Sequence, residues 1–415
     1  MEKASRSMSC LTDCPASASA SASTSASTRA APRRGHDAAQ VGSRGSLTQI
    51  ALLALLALVS SLALGCRARP RADRPAAERA AAPPAPALAA RLTAAIEAGD
   101  FPRTTSVMAS QHGVLLYEGH FGGTDADTLH DVRSVTKSFT ALAVGLALSR
   151  GQLRSVDDPA FAYLADLRPY AHDEPAKAQI TLADLLTMSS ALDCDDDEEQ
   201  SPGNEENMYP QQVWARWAVA LPLRASYSRD AHGRGSFAYC TAGAFLLGQI
   251  LERAVGQPLD RFVEAELFAP LGVAPVRWNR SPTGEVAGSG QLRIRAGDLL
   301  KVAQLVLDRG HSGGAQLVPE TWIDRMLTSY VKPSPSTDPR GIHGYGYLMW
   351  QRPYATSCGE TTGWYMSGNG GIHAVVLPAR DAVAVVTTTN FNTRGMHDQT
   401  ARLLEEHVFS ALACD

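Results

Sequence analysis

The sequence contains very little lysine. Among its 38 basic residues only five are lysines, which are Lys3, Lys137, Lys177, Lys301 and Lys332. With 42 acidic residues and a net charge of −4, the chain has no basic excess, so nucleic acid is not an expected partner. A lysine in such an arginine-rich chain stands out, because a buried lysine can lose its proton whereas arginine cannot.

Several catalytic signatures are also missing. The chain has no G-x-S-x-G motif, which argues against an α/β-hydrolase, and no H-E-x-x-H or comparable spacing of histidines. The acidic run 193–199 fails the calcium-loop pattern, because Glu198 occupies the position of the turn glycine. We interpret this run as a solvated loop near the rim of a cleft, with an adventitious cation site as the alternative. No metal or organic cofactor is expected.

The strongest local signal is an S-x-x-K motif, Ser134-Val135-Thr136-Lys137, which leads into the apolar run Thr140–Ser149. On a helix, residues three apart share a face, so the Ser134 hydroxyl and the Lys137 amine are expected side by side. A serine hydroxyl becomes nucleophilic when a neighbour takes its proton, and a desolvated lysine can do so. The pattern recurs at Ser329–Lys332, but Pro333 follows directly, so we interpret that match as chance.

The N-terminal region predicts export. Residues 1–40 are low in complexity and rich in Ser, Ala and Arg, so we expect them to be disordered or untranslated. If they are untranslated, translation starts at Val41. Residues 41–66 have the charged flank and short apolar core of a signal peptide. Ala63-Leu64-Gly65-Cys66 resembles a bacterial lipobox, which implies lipidation of Cys66; ordinary cleavage and an uncleaved anchor are the alternatives. Residues 67–86 then form an Ala/Pro/Arg-rich tether to a membrane surface in the periplasm or cell envelope.

The pattern of residues 87–415 predicts one α/β (α+β) domain. Two hairpins are indicated near its ends, Thr104–Ala109 with Val114–Phe121 and Ile372–Leu377 with Ala382–Thr388, and a helix flanks each. We therefore predict a single antiparallel sheet built from both termini and flanked by the terminal helices. The mainly helical stretch of about residues 140–300 is then an insertion, and a cleft at its seam with the sheet is the expected binding site.

Further motifs accompany the serine–lysine pair in a characteristic order. They are Asp157-Asp158-Pro159, Leu185-Leu186-Thr187-Met188-Ser189-Ser190, Tyr239-Cys240-Thr241, Leu267-Phe268-Ala269-Pro270-Leu271-Gly272, Tyr345-Gly346-Tyr347 and Gly368-Asn369-Gly370-Gly371. Together they resemble the serine β-lactamase and penicillin-binding-protein superfamily, especially its class C β-lactamase/esterase-like branch. This resemblance spans about residues 90–410 and implies a β-lactamase-like fold.

The resemblance also implies roles for individual residues. Ser134 is the expected nucleophile, Lys137 its base, and Tyr239 the group that passes a proton to the leaving group. Thr241 replaces the asparagine of the Tyr-x-Asn motif, so a hydroxyl must supply that asparagine's contacts. The oxyanion hole is expected from the backbone N–H groups of Ser134 and Ile372.

The third motif departs from the family pattern. Asn369, Gly370 and Gly371 stand where β-lactamases have Lys-Thr-Gly, and we expect them to contact the substrate. Because the cation that grips a substrate carboxylate is missing, hydrolysis of a neutral ester or amide is expected rather than efficient β-lactamase or carboxypeptidase activity. The alternative is a non-catalytic envelope protein that binds peptidoglycan or a partner.

The predicted mature domain has four cysteines, which allow three disulfide pairings in an exported protein. We favour Cys194 with Cys240, because both flank suspected site segments, and this leaves Cys358 with Cys414. Four unpaired thiols are the alternative. The expected partners are thus a small ester or amide and, through Cys66, a membrane.

Overall fold

The structure is a computed structural model that describes residues 86–225, 235–333 and 341–414. The predicted signal peptide, Cys66 and most of the tether lie outside the described residues. Within these ranges, no helix has both the length and the apolar character needed to cross a bilayer.

A seven-stranded antiparallel sheet lies at the centre of the domain, in the order β2-β1-β11-β10-β9-β8-β7. Its strands are β1 (Thr104–Gln111), β2 (Val114–His120), β7 (Gly344–Tyr345), β8 (Trp350–Thr356), β9 (Gly359–Gly368), β10 (Ile372–Leu377) and β11 (Ala382–Thr388). The first strand pairs with the last, with Val107 opposite Val386. The predicted sheet built from both ends of the chain is therefore confirmed, together with the mixed α/β class.

Two short two-stranded sheets complete the β-structure. They are β3 (Leu129–Asp131) with β4 (Arg293–Arg295), and β5 (His311–Ser312) with β6 (Ala315–Gln316). The β3–β4 pair matters for the site, because the chain continues from β3 directly into the S-x-x-K turn and because β4 follows a segment that contacts this turn.

Ten α-helices occur in the described ranges. They are α1 (Pro86–Glu97), α2 (Thr136–Ser149), α3 (Leu182–Leu186), α4 (Glu205–Met208), α5 (Trp214–Val219), α6 (Thr241–Val255), α7 (Leu259–Val263), α8 (Ala296–Leu307), α9 (Glu320–Met326) and α10 (Met396–Leu403). Helix α8 packs on β1, β10 and β11, while α1 contacts β2 and the helical turns that follow α10. Every side chain of β11 is buried, so other elements cover both faces of the sheet.

Helices α2 and α6 pack against each other in the inserted region. All residues of α2 from Thr136 to Ala147 are buried, which explains why apolar residues occur on every side of the helix after its polar first turn. A helix embedded in this way cannot shift without disturbing the core, so it is a rigid support for the residues at its N-terminus.

Candidate active site

Ser134 lies in a tight turn between β3 and α2. Residues Arg133–Val135 form one turn of 3-10 helix, and α2 begins at Thr136. Arg133 has a φ of 51°, in the left-handed region that a residue with a side chain rarely adopts. Its N–H donates to Asp131 Oδ1 at 3.0 Å, which helps to hold this conformation. A strained residue therefore directly precedes the serine, as is common at functional sites.

The hydroxyl residues of the motif fix the start of α2. Thr136 Oγ1 accepts a hydrogen bond from the Leu292 N–H at 3.0 Å. Ser138 Oγ donates to the Leu348 carbonyl at 2.7 Å, and Thr140 Oγ1 donates to the Gly288 carbonyl at 2.6 Å. The polar residues of this apolar helix thus bind it to two distant segments of the chain.

Lys137 is in contact with Ser134. Its Nζ lies 2.8 Å from Ser134 Oγ and donates to the Ser289 carbonyl oxygen at 2.7 Å. The side chain is only 2% exposed, and this burial lowers the pKa of Lys137, although the carboxylates of Glu205 and Asp196 oppose the lowering. A buried amine with a lowered pKa beside a hydroxyl has the geometry and the chemistry of a general base.

Tyr239 completes the group of polar side chains around the serine. Its hydroxyl lies close enough to Ser134 to interact with it, and Lys137 Nζ lies 5.0 Å from the centre of its ring. Burial raises the pKa of the Tyr239 phenol, which is therefore protonated at neutral pH. The ring stacks on Trp350 with their centroids 5.4 Å apart. The structure thus brings together the three residues for which the sequence predicts catalytic roles.

Thr241 lies in the first turn of α6, two residues after Tyr239. Its side chain is buried, and among the described residues its hydroxyl bonds to neither Ser134 nor Lys137. The Ser289 carbonyl instead provides the second polar contact of the lysine. A substrate contact for the Thr241 hydroxyl remains a prediction.

The last residue of β9, Gly368, lies against the nucleophile turn. A Cβ at this position would come within 2.4 Å of the Val132 carbonyl oxygen and 3.2 Å of Arg133 Cβ. Glycine is therefore required for the strand and the turn to approach this closely.

The predicted substrate contacts lie just beyond Gly368. Asn369 pairs with Asn392, since its Nδ2 donates to Asn392 Oδ1 at 2.6 Å. The Gly370 N–H contacts Met396 Sδ at 3.1 Å, and the Gly371 carbonyl accepts from Thr400 Oγ1 at 2.6 Å. These three residues therefore contact the segment 392–400, and it is Gly368 that the structure places against the turn of Ser134.

Ile372, the predicted second donor of the oxyanion hole, is the first residue of β10. It lies directly opposite Gly368 in the β9–β10 hairpin, about 5 Å away at the usual spacing of paired residues. Strand β10 also contacts the nucleophile turn, so the Ile372 backbone lies in the same part of the molecule as Ser134.

The acidic run has a more specific arrangement than a solvated loop. Asp197, Glu198 and Glu199 are exposed, whereas Asp196 turns inward and its Oδ2 accepts from the Thr241 N–H at 2.8 Å. Burial and the neighbouring Glu205 carboxylate raise the pKa of Asp196 to about 7. No cluster of three or more metal-ligating side chains occurs in the part of the chain that the structure describes.

A disulfide joins Cys194 to Cys240, the residue between Tyr239 and Thr241, and a second joins Cys358 to Cys414. Both pairs are the ones that the sequence favours. The first bond ties the acidic loop to the segment that carries Tyr239.

Sequence reasoning did not identify Ser289, Gly368, Trp350 or Asp196 as residues of the site. Ser289 and Trp350 carry no motif and reach the site only through long-range packing. Gly368 belongs to the glycine-rich motif but precedes the residues expected to bind substrate. The sequence offered one indication for Asp196. This residue lies two positions after Cys194, and the favoured partner of Cys194 is Cys240, which adjoins Tyr239.

The family model of Beta-lactamase matches residues 92–409. The chain is 26% identical over 230 residues to a 6-aminohexanoate-dimer hydrolase of Paenarthrobacter ureafaciens. This alignment covers 54% of the chain and 57% of the relative. It is 30% identical over 212 residues to Esterase EstB of Burkholderia gladioli. This alignment covers 46% of the chain and 51% of the esterase. The chain thus spans about half the length of these curated relatives.

The fold is also found among solved structures. A class C beta-lactamase variant superposes with a TM-score of 0.56 at 16% identity, and the superposition covers 77% of this chain and 97% of that chain. At this identity the likeness concerns the fold alone. Since the family model extends over most of the sequence and includes the Ser134, Lys137 and Tyr239 segments, the chain belongs to the beta-lactamase family of serine hydrolases.

Proposed function

We propose that this protein hydrolyses an ester or amide bond through an acyl-enzyme intermediate on Ser134. The observation that carries the proposal is the 2.8 Å contact between Ser134 Oγ and the buried Lys137 amine. Such a contact gives the hydroxyl a proton acceptor that water does not surround.

Each proton in the proposed reaction has a defined path. Ser134 Oγ attacks the carbonyl carbon while its proton passes to the neutral amine of Lys137. The tetrahedral intermediate collapses as the bond to the leaving group breaks, and the Tyr239 phenol supplies the proton that the leaving group needs. Lys137 returns its proton to Tyr239. Water then attacks the acyl carbon as one of its protons passes to the neutral amine of Lys137. The bond between the acyl carbon and Ser134 Oγ breaks, the carboxylic acid leaves, and Lys137 returns the proton to Ser134 Oγ.

The surroundings of Ser134 favour a neutral, apolar substrate. Asn369 replaces the cationic residue of the third motif and is paired with Asn392. The aromatic side chains of Phe237, Tyr239 and Trp350 form a wall on one side, with the rings of Phe237 and Trp350 5.8 Å apart. An acyl or leaving group without a carboxylate fits this wall, because an anion would be desolvated there without a partner.

The proposal is tested by labelling with a fluorophosphonate and measuring the intact mass. We expect one adduct on the unaltered protein and none on the Ser134→Ala variant, with Ser329→Ala labelled normally as the matched control for the second S-x-x-K match. An unlabelled protein, or labelling that survives Ser134→Ala, would contradict it. Binding of peptidoglycan fragments that survives Ser134→Ala would then support the non-catalytic alternative.

The substrate class needs a separate comparison. We expect turnover of short-chain aryl esters or neutral amides to exceed that of a chromogenic cephalosporin and of a D-Ala-D-Ala peptide, since both of the latter carry a carboxylate. Preferential cleavage of the carboxylate-bearing substrates would contradict the inferred preference while leaving the acyl-enzyme intact.

We further propose that the protein is exported and anchored by a lipid on Cys66, as the lipobox-like sequence indicates. Metabolic labelling with a palmitate analogue in a bacterial host tests this. We expect incorporation that Cys66→Ser abolishes; incorporation unchanged in that variant would contradict lipidation of Cys66.

A further inference from the structure

Asp196 connects three backbone segments beneath Tyr239. Its Oδ2 accepts from the Thr241 N–H at 2.8 Å, and its Oδ1 accepts from the Glu205 N–H at 2.9 Å. Its own N–H donates to the Tyr239 carbonyl at 2.8 Å. One carboxylate thus caps the first turns of both α6 and α4, where the helix dipoles favour negative charge.

Two further contacts hold the same short segment. The Ala238 N–H donates to the Met188 carbonyl at 2.8 Å, and the Cys194–Cys240 disulfide joins the residue after Tyr239 to the acidic loop. Asp196 follows Cys194 by two residues, so the covalent bond and the hydrogen bonds act on the same pair of segments. Together they fix the backbone from which the phenol reaches Ser134.

The charge of Asp196 also acts on the lysine. Glu205 and Asp196 are the groups whose negative charge favours the ammonium form of Lys137 against the effect of burial. The ionisable groups whose charge acts on Asp196 are Glu205 and Lys137. Those whose charge acts on Tyr239 are Asp196, Glu205 and Asp197. Tyr209 belongs to the same cluster, since its hydroxyl donates to Glu205 Oε2 at 2.9 Å.

We propose that Asp196 is a positioning residue of this active site, which sets the backbone of Tyr239 for proton delivery. The inference rests on the proposed function of Ser134, Lys137 and Tyr239. Within the part of the chain that the structure describes, Asp196 makes no hydrogen bond with Ser134, so its role is to position other residues.

The positional role is tested by comparing two substrates on the Asp196→Asn variant. An alkyl ester needs a proton on its leaving group, whereas a p-nitrophenyl ester does not. We expect kcat/KM at its pH plateau to fall about tenfold for ethyl butyrate and less than about threefold for p-nitrophenyl butyrate, because a displaced phenol affects only the first. Equal losses on both esters would overturn the positional role.

Glu199→Gln is the matched control, because it removes an exposed charge from the same loop and is expected to leave the ratio of the two ester activities unchanged. If Asp196→Asn does not fold, Asp196→Glu provides the second test. The longer side chain keeps the carboxylate but displaces it from the Thr241 and Glu205 N–H groups, so the loss must again be larger for ethyl butyrate; equal losses on both esters overturn the positional role.

Failure of this inference is distinguishable from failure of the proposed function. The fluorophosphonate adduct on the unaltered protein reports on Ser134 alone. If that adduct forms while Asp196→Asn behaves as Glu199→Gln does, Asp196 has no positioning role and the serine hydrolase remains.

Discussion

At the scale of single residues, the site depends on one amine that can exist without its charge. Lys137 is buried against the Ser289 carbonyl, and no arginine could replace it, because a guanidinium stays protonated even when buried. The proposed mechanism therefore requires lysine at this position, in a chain with only five lysines among its 38 basic residues.

The first prediction follows for Lys137→Arg. The variant keeps the positive charge but loses the base, so we expect kcat/KM for an aryl ester to fall by at least about 10³-fold. Lys301→Arg is the matched control: the exposed Lys301 Nζ binds Asp298 Oδ1 at 2.7 Å, a contact that arginine can also make, and activity should stay unchanged. An active Lys137→Arg enzyme would exclude Lys137 as the base.

A second prediction concerns His130, which is buried in β3 just before the nucleophile turn. Its Nε2 lies 3.1 Å from Ser106 Oγ, and burial lowers its pKa from 6.5 to about 4, with a smaller effect of His120. Because the unfolded chain binds a proton at higher pH than the folded protein, stability falls as the pH drops from about 6.5 to about 4. The loss amounts to about 3 kcal/mol.

Urea unfolding at pH 7 and at pH 4.5 measures this loss. We expect the difference to shrink in His130→Gln, which cannot be protonated, and to persist in His172→Gln, whose histidine is half-exposed on the surface. A His130→Gln variant with an unchanged pH dependence would assign the acid sensitivity to other groups.

At the scale of elements, the nucleophile turn and the end of β9 must touch. The third prediction is that Gly368→Ala loses activity by at least about tenfold and stability by about 1–3 kcal/mol, because its Cβ would overlap the Val132 carbonyl. Gly297→Ala is the control, since its Cβ would meet only Met108 at ordinary contact distance in helix α8. Steady-state kinetics and urea unfolding of both variants measure the effect, and a fully active Gly368→Ala enzyme would contradict it.

The elements differ in how far the sequence revealed them. Ile372–Leu377 and Ala382–Thr388 are strands with the predicted bounds, because β-branched runs separated by a turn are a local signal. Strands β8 and β9 were not predicted: β9 contains three glycines and no regular alternation, so its extended form depends on pairing with β8 and β10. Helix α2 begins at Thr136, four residues before the apolar run, because hydroxyl contacts with distant segments stabilise its first turn.

The residues of the candidate site also differ in whether the sequence alone identifies them. Ser134, Lys137 and Tyr239 lie in short motifs that a reader can find in the sequence, and the structure brings them together. Ser289 and Asp196 act through a carbonyl and through backbone hydrogen bonds, which place little demand on local sequence. Supporting residues of this kind follow from the tertiary arrangement and not from any pattern.

At the scale of the whole molecule, the two disulfides close loops of similar length in different places. Cys194 and Cys240 are 46 residues apart, and Cys358 and Cys414 are 56 apart. In the chain-entropy account each stabilises the folded state by about 4 kcal/mol. Cys358 adjoins the far end of β9, about 30 Å along that strand from Gly368.

The fourth prediction compares their removal. The double variant Cys358→Ser/Cys414→Ser should unfold at lower urea concentration but keep its kcat/KM at low temperature, since the bond lies far from Ser134. Cys194→Ser/Cys240→Ser should lose a similar amount of stability and also at least about tenfold in kcat/KM, because that bond holds the segment of Tyr239. Equal kinetic effects of the two removals would contradict this division.

The pairing of β1 with β11 has a consequence for biosynthesis. The central strands come from opposite ends of the domain, so the sheet cannot close until the last strand has been synthesised. Strand β9, against which the Ser134 turn packs, is also made late. A nascent chain that carries only the serine–lysine motif therefore lacks the strand against which the Ser134 turn packs, and the site is complete only when the finished polypeptide has folded.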